Sequence, residues 1–426
     1  MKEIAAVIKE IESGRWDPSL VDLYGTAEGQ RERYIALAKH FETIYQEKTA
    51  AFFSAPGRTE IGGNHTDHNH GRVLAAGIDL DTLAAAAPVE DPYISIRSEG
   101  YPEMKIDLSR LDPVPEERET APAVVRGVVR GFVDRGYRVD GFKAVMTSRV
   151  LRGSGLSSSA SFEVLLGTIL SGLYNGGAVD LTEIAQTAQF AENVFYGKPC
   201  GLMDQMACAH AGLVAIDFAD PERPRLERLQ IRFDSLGYQL MVVNTRGDHA
   251  DLSGHYADIP REMKAAAAVL GRQVLRDVTL EELHRRAGEV RKAAGDRAFL
   301  RAYHFIQENR RVEEQLAALE HDDFSRFLDL VNRSGRSSFQ YLQNVFVAET
   351  PQTQEMAVGL AAAEALLEGR GAVRVHGGGF AGTILALVPM DASSRFEAGM
   401  NSLFGEGAVQ PLIIRNRPAG PVGEAI

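Results

Sequence analysis

Apolar positions recur at helical spacing through the first 48 residues, with Ile35, Leu37, Phe41 and Ile44 marking one face, so two or three amphipathic helices are predicted there. Asp17-Pro18 reads as an N-cap followed by a proline at the first helical position. From Thr49 the pattern changes to short apolar runs broken by turn residues. AFFSAPGR, GRVLAAGIDLD, TLAAAAPV and YISIRSE predict strands or strand ends around the polar insert GGNHTDHNHG. Helical spacing returns over 121–136, and FKAVMTSRV (142–150) predicts another strand. LRGSGLSSSASFEVLLGTILSGLY then reads as a glycine-serine turn entering an apolar helix, and a further helix over 181–196 precedes the tight segment GKPCGLMDQ. AGLVAIDF (211–218) and YQLMVVNT (238–245) predict strands, followed by helical stretches over 258–320, 322–334 and 352–369. AVRVHGGGFAGTILALVP reads as strand, glycine turn, strand. Helices and strands mix without strict βαβ alternation, which predicts an α+β fold. The charged, proline-bearing segment ADPERPRLERL marks a boundary between two domains, 1–219 and 220–426.

Length agrees with that division, since 426 residues suit two cores better than one. The net charge of −12 argues against nucleic acid and anionic membrane as partners, because phosphate surfaces recruit basic patches. It leaves room for a small basic pocket that takes a nucleotide. No stretch approaches 18 uncharged apolar residues, so no membrane span is predicted, and MKEIAAVIKEIESG lacks the apolar core of a signal peptide. Cys200 and Cys208 make neither a disulfide framework nor a four-ligand zinc pattern. These features predict a reduced, cytoplasmic, soluble protein, a monomer or weak homo-oligomer, whose partners are small molecules.

The chemistry concentrates in four segments. Arg152-Gly153-Ser154-Gly155-Leu156-Ser157-Ser158-Ser159-Ala160 precedes a strong helix. Glycines let backbone approach an anion, and first-turn amides together with the helix dipole favour negative charge. No Gly-Lys-Ser/Thr is present, so this is no Walker A loop, and a serine-capped helix after a glycine turn is the plainer reading. Ser54–Asp79 packs two arginines, three histidines and several acids and amides between apolar strands, which suits recognition of sugar hydroxyls. A transition-metal site at His65, Asp67, His68 and His70, or a solvated loop, are the alternatives. Asp204 sits among small and apolar residues in Pro199–Met206, where a carboxylate either satisfies backbone amides or does chemistry. Phosphoryl transfer to a hydroxyl needs an acceptor for its proton and cations for the transferred charge, roles that suit Asp204 and Arg58 if the fold joins them. Glu192, one helix earlier, is a candidate Mg²⁺ carboxylate or a solvated helix residue. The turn Gly377-Gly378-Gly379-Phe380-Ala381-Gly382 is by itself only a hairpin signal.

Taken together and in order, these motifs resemble the kinase superfamily of galactokinase, homoserine kinase, mevalonate kinase and phosphomevalonate kinase, and the first narrows the resemblance to galactokinase. Pro56-Gly57-Arg58, Gly63-Asn64-His65-Thr66-Asp67 and His68-Asn69-His70-Gly71 parallel the family's Pro-Gly-Arg, Gly-Glu-His-Thr-Asp and Tyr-Asn-Gly segments. Gly155–Ser161, Pro199–Gln205 and Gly377–Gly382 match its other motifs, and the whole spans about 330 residues. The resemblance implies a two-domain α+β fold with the active site in the interdomain cleft, and an ATP- and Mg²⁺-dependent sugar kinase. It implies Asp204 as catalytic aspartate with Arg58 as its partner, and Asn64, His65, Thr66, Asp67, Gly201 and Tyr256 at the sugar. It implies Ser98, Gly153, Ser154, Gly155, Leu156, Ser157, Ser158, Ser159 and Ala160 at ATP, with Ser159 and Glu192 on Mg²⁺. Thr59-Glu60 stands in place of the family's Val-Asn, Asn64 in place of its glutamate and His68 in place of its tyrosine. Those changes open the sugar to alternatives such as N-acetylgalactosamine, L-arabinose or galacturonate, and a non-catalytic sugar and ATP sensor is the reading from another class.

Overall fold

The structure is a computed structural model that describes residues 1–150, 153, 155–247, 252–380 and 382–423; the side chain of Ser253 is outside the description. Ser154, expected at ATP, lies outside the described residues, as do Arg152, His249 and Ala381. Two sheets organise the fold. The larger has nine strands, with the path Lys2–Glu3, Thr49–Gly62, Arg72–Pro88, Phe142–Ser148, Tyr93–Ser98, Met104–Asp107. Gly420–Val422 adds to Thr49–Gly62, and Leu213–Asp217 adds to Arg72–Pro88 and carries Arg225–Leu229. The smaller sheet is antiparallel in the order Ala372–Val375, Thr383–Pro389, Tyr238–Asn244, Val409–Leu412. A boundary at 219/220 therefore leaves Arg225–Leu229 and Gly420–Val422 across the line from the sheet they complete.

The three N-terminal helices form at Ile4–Glu12, Asp17–Tyr24 and Gln30–Tyr45, with Asp17 inside its helix rather than capping it. The runs GRVLAAGIDLD and TLAAAAPV, read as separate strands, are one strand of 17 residues, Arg72–Pro88. Within it Asp81 is fully buried and accepts from Tyr24 Oη at 2.7 Å and from Ser54. Arg33 and Arg415 stand at 2.5 and 3.7 Å from its carboxylate. Paired and hydrogen-bonded, a carboxylate can occupy a strand interior that an isolated charge could not. The helical stretch predicted over 258–320 divides into Ser253–Val269, Leu280–Arg285, Ala287–Ala294 and Asp296–Glu320.

Alternation along the strands separates the larger sheet's two faces. Phe53, Ala55, Ala84 and Ala86 pack under the helices Ala121–Asp134, Ser158–Tyr174, Leu181–Phe190 and Met203–His210. Phe52, Leu83, Ala85 and Ala87 turn the other way, onto the N-terminal helices. A third cluster joins the sheets: Ile61, Leu74 and Leu213 from the larger meet Leu240, Val242 and Leu385 from the smaller beneath helices Asp296–Glu320 and Phe324–Ser337. This shared core fixes the ends of both sheets against each other, and the glycine-marked loops converge there.

Candidate active site

A cleft of about 320 Å³ gathers residues from all four motif segments. Its floor is built by a break in register of strand Thr49–Gly62 between Pro56 and Arg58. A β-bulge re-aims the side chain that follows it. Gly57 permits this because a Cβ there would stand 2.8 Å from the Leu156 carbonyl oxygen. The Arg58 amide donates to that same oxygen at 3.0 Å, which ties the strand to the phosphate loop.

Arg58 meets Asp204 fork to fork: Nε donates to Oδ1 and Nη2 to Oδ2, each at 2.7 Å. Its Nη1 donates to the Gly155 carbonyl, and the Ser157 hydroxyl donates to Asp204 Oδ2. Asp204 lies in the first turn of helix Met203–His210, where the dipole favours an anion. Burial alone would raise its pKa, but the Arg58 charge and hydrogen bonds, with Ser157, hold it below the ordinary aspartate value. Arg58 is buried, whereas Asp204 exposes 31% of its side chain to the cleft. The arrangement is an ionised acceptor locked in position, able to take a hydrogen bond from a hydroxyl in the cleft.

The sugar-loop residues divide. His65 and Asp67 line the cleft. His65 Nε2 contacts the Gly378 carbonyl at 3.0 Å, so Nε2 carries the proton and Nδ1 is left to accept. Burial, then the neighbouring His68, lowers the His65 pKa to about 4, and the ring is neutral at pH 7. Asp67 accepts from the amides of His68 at 3.0 Å and Met203 at 3.3 Å. Gly201 lines the cleft beside it, and any Cβ there would overlap the Asp67 carboxylate. Tyr256 lies edge-on to Phe380, with centroids 5.5 Å apart, and donates to Gly379 O at 3.0 Å. Thr66, by contrast, is buried and spends its hydroxyl on the loop's own carbonyls, Gly63 at 2.9 Å and Arg72 at 2.6 Å.

Asn64 is fully buried and does not line the cleft. Its amide nitrogen donates to Glu60 Oε1 at 3.0 Å and to Gly377 O at 2.9 Å. Its oxygen accepts from Ser338 Oγ at 3.1 Å and Asn344 Nδ2 at 2.9 Å. The carboxylate that reaches the cleft wall at this end is Glu60, backed by an ion pair with buried Arg374. Relative to the family pattern the acid and the amide thus stand exchanged, at Glu60 and Asn64, and here they hydrogen-bond to each other. The sequence showed both changes but gave no sign that the two side chains touch.

On the phosphate side Gly153, Gly155, Ser157, Ser158 and Ser159 line the cleft, while Leu156 and Ala160 are buried beneath it. Gly155 takes φ +68°, and a Cβ on it would meet Thr383 and His376. Ser157 takes φ 58°, unusual for a side-chain-bearing residue, and this turn delivers its hydroxyl to Asp204. Ser98 closes strand Tyr93–Ser98 and is not among the cleft residues. Ser159 and Glu163 stand one turn apart on helix Ser158–Tyr174 and so share a face. Gln205 Nε2 bridges Glu163 (3.2 Å) to Glu192 (2.9 Å), and Lys198 Nζ lies 3.2 Å from Glu192 Oε1. Burial, then the nearby Glu192, raises the Glu163 pKa well above its ordinary value. Among the described residues no group of three or more His, Cys, Asp or Glu side chains is placed to hold a metal. Ser159 lines the cleft, whereas Glu192 is buried outside its lining with its carboxylate bonded to Gln205 and Lys198. Lys198 was missed by motif reading because nothing in its spacing distinguishes it; only the cleft shows its place.

Residues 39–88 match the galactokinase galactose-binding signature, and residues 123–212 match the GHMP kinases N-terminal domain. The galactokinase of Lactococcus lactis, solved in complex with galactose, superposes with a TM-score of 0.77 at 25% identity, covering 91% of this chain and 98% of that one. The mevalonate kinase of Methanococcus jannaschii (TM-score 0.60, 13% identity, 86% and 98% covered) and a D-glycero-D-manno-heptose 1-phosphate kinase from Bacteriodes thetaiotaomicron (0.57, 17%, 88% and 99%) share the fold. The chain carries the galactokinase galactose-binding signature and the GHMP kinases N-terminal domain on a galactokinase-like fold, and is an ATP-dependent sugar kinase.

Proposed function

We propose that the chain transfers the γ-phosphoryl group of ATP to the C1 hydroxyl of D-galactose, giving galactose 1-phosphate and ADP. The observation that carries this reading is the Arg58–Asp204 fork, set between the His65–Asp67 loop and the glycine-serine turn. The bond that forms joins the sugar oxygen to the γ-phosphorus; the bond that breaks leaves its electron pair on ADP. Asp204 accepts the hydroxyl proton. Held ionised by Arg58, it is a weak base, so its main contribution is to orient the hydroxyl until transfer makes that proton acidic. Bound Mg²⁺, held by Ser159, would offset charge on the phosphates.

His65, Asp67, Gly201 and Tyr256 hold the sugar, and Glu60 takes the hydroxyl remote from C1 that the family assigns to the glutamate at the Asn64 position. Lys198, the exposed cation of the described cleft residues, supports charge on the phosphoryl group. A soluble, cytoplasmic setting is supported by the free thiols of Cys200 and Cys208. The test is a sugar panel read by coupled ADP release, with galactose, N-acetylgalactosamine, L-arabinose and galacturonate as acceptors. Strong turnover on another sugar with none on galactose overturns the galactose assignment. ATP and sugar binding without turnover on any acceptor favours the sensor.

A further inference from the structure

Outside the catalytic cleft, a cavity of about 480 Å³ lies between helices Asp296–Glu320 and Phe324–Ser337. Five arginines line it: Arg310, Arg311, Arg326, Arg333 and Arg336. In a protein of net charge −12 this is an unusual concentration of positive charge. Their carboxylate partners are fewer. Glu314 serves both Arg310 and Arg326 at 3.0 Å, Asp329 serves both Arg326 (3.0 Å) and Arg333 (2.9 Å), and Glu308 pairs with Arg311. Five guanidinium groups therefore face three carboxylates, and Arg336, which is exposed, pairs with none among the described residues. Tyr303 and Tyr341, edge to face at 4.9 Å, give the same cavity an aromatic wall.

The wall is wired to the sugar loop by two short paths. Arg311 pairs with Glu308, whose Oε1 accepts from the Gly63 amide at 3.0 Å. Ser337 donates to His304 Nδ1 at 2.9 Å, and His304 Nε2 donates to Asn64 O at 3.0 Å. A ligand that draws Arg311 or Ser337 toward the cavity thus acts one side chain away from the backbone that positions His65.

We propose that this cavity binds a phosphorylated small molecule, its phosphate held by Arg333 and Arg336 and its body against Tyr303 and Tyr341, and that occupancy tunes sugar affinity through Glu308 and His304. Guanidinium forks match phosphate oxygens in geometry as well as charge. The coupling half rests on the sugar-kinase reading; the binding half does not.

The test fills the catalytic cleft with galactose and a non-hydrolysable ATP analogue, keeps Mg²⁺ in fixed excess, and titrates inorganic pyrophosphate by calorimetry. One further saturable site is expected, weakened about 10-fold or more in R336A and R333A, as for loss of a charge-assisted hydrogen bond. Both side chains are exposed, so neither change threatens the fold. Competition by AMP or by glucose 1-phosphate distinguishes a nucleotide occupant from a sugar phosphate. Pyrophosphate should also shift the galactose KM of the parent enzyme and leave that of R336A unchanged. No saturable binding, or binding undiminished in both variants, overturns the site. Binding without a KM shift overturns the coupling alone, and a parent that does not turn over galactose overturns the galactose assignment while leaving the calorimetric result to stand.

Discussion

At Asp204 two demands meet in one carboxylate: it must stay ionised, and it must remain within reach of a hydroxyl. The Arg58 fork satisfies the first and its partial exposure the second. Asp204→Asn should therefore lower kcat by about 10³-fold or more with galactose affinity within a few-fold, measured by coupled turnover and by calorimetry. Equal losses in both would assign Asp204 to binding. His65 gives a pH prediction with a definite sign. Its pKa is depressed from 6.5 to about 4 by burial and His68, so the unfolded chain binds a proton that the folded chain refuses in that window. Stability should fall as pH drops from 6.5 toward 4, by up to about 3 kcal/mol from this residue. His65→Gln should flatten that part of the profile in urea titrations, and an unchanged slope would assign the loss to other groups.

Elements place these residues by what they forbid as much as by what they form. Gly201 stands where any side chain would overlap Asp67, and the turn Gly377–Gly379 brings backbone carbonyls up to Asn64, His65 and Tyr256. Gly201→Ala should raise the galactose KM by about 10-fold or more through displacement of Asp67, while the melting temperature moves little because the site lies in an open cleft. A large thermal loss with KM unchanged would contradict this. Glu60 and Asn64 act as one unit across a strand end. Glu60→Gln should change the order of preference in the sugar panel more than it changes kcat on the best acceptor.

Across the whole molecule, the C-terminal segment returns to the sheet that the N-terminal half begins. Arg415 donates to Ser54 Oγ at 2.6 Å, stands beside Asp81, and is followed by Gly420–Val422 pairing with Phe52–Ser54. Asp81→Ala would strand two buried arginines, Arg33 and Arg415, and should cost about 3–5 kcal/mol in denaturant unfolding. Less than about 1 kcal/mol would mean that water replaces the carboxylate.

The sequence by itself determined the chemistry and the broad class. Glycine turns, the serine run and the segments around Arg58 and Asp204 are local patterns, and their order alone pointed to a sugar kinase with a two-domain α+β fold. Strand and helix periodicity located most elements for the same reason, since burial of one face is written into neighbouring residues. What depended on contacts between distant residues was decided only by the tertiary structure. Asp81 sits inside a strand because Tyr24, Arg33 and Arg415, each 48 or more residues away in sequence, satisfy its carboxylate. Asn64 read as a sugar ligand until Ser338, Asn344 and Gly377 were seen to occupy its amide. A side chain's identity states which hydrogen bonds it can make; only the fold states which of them are already taken.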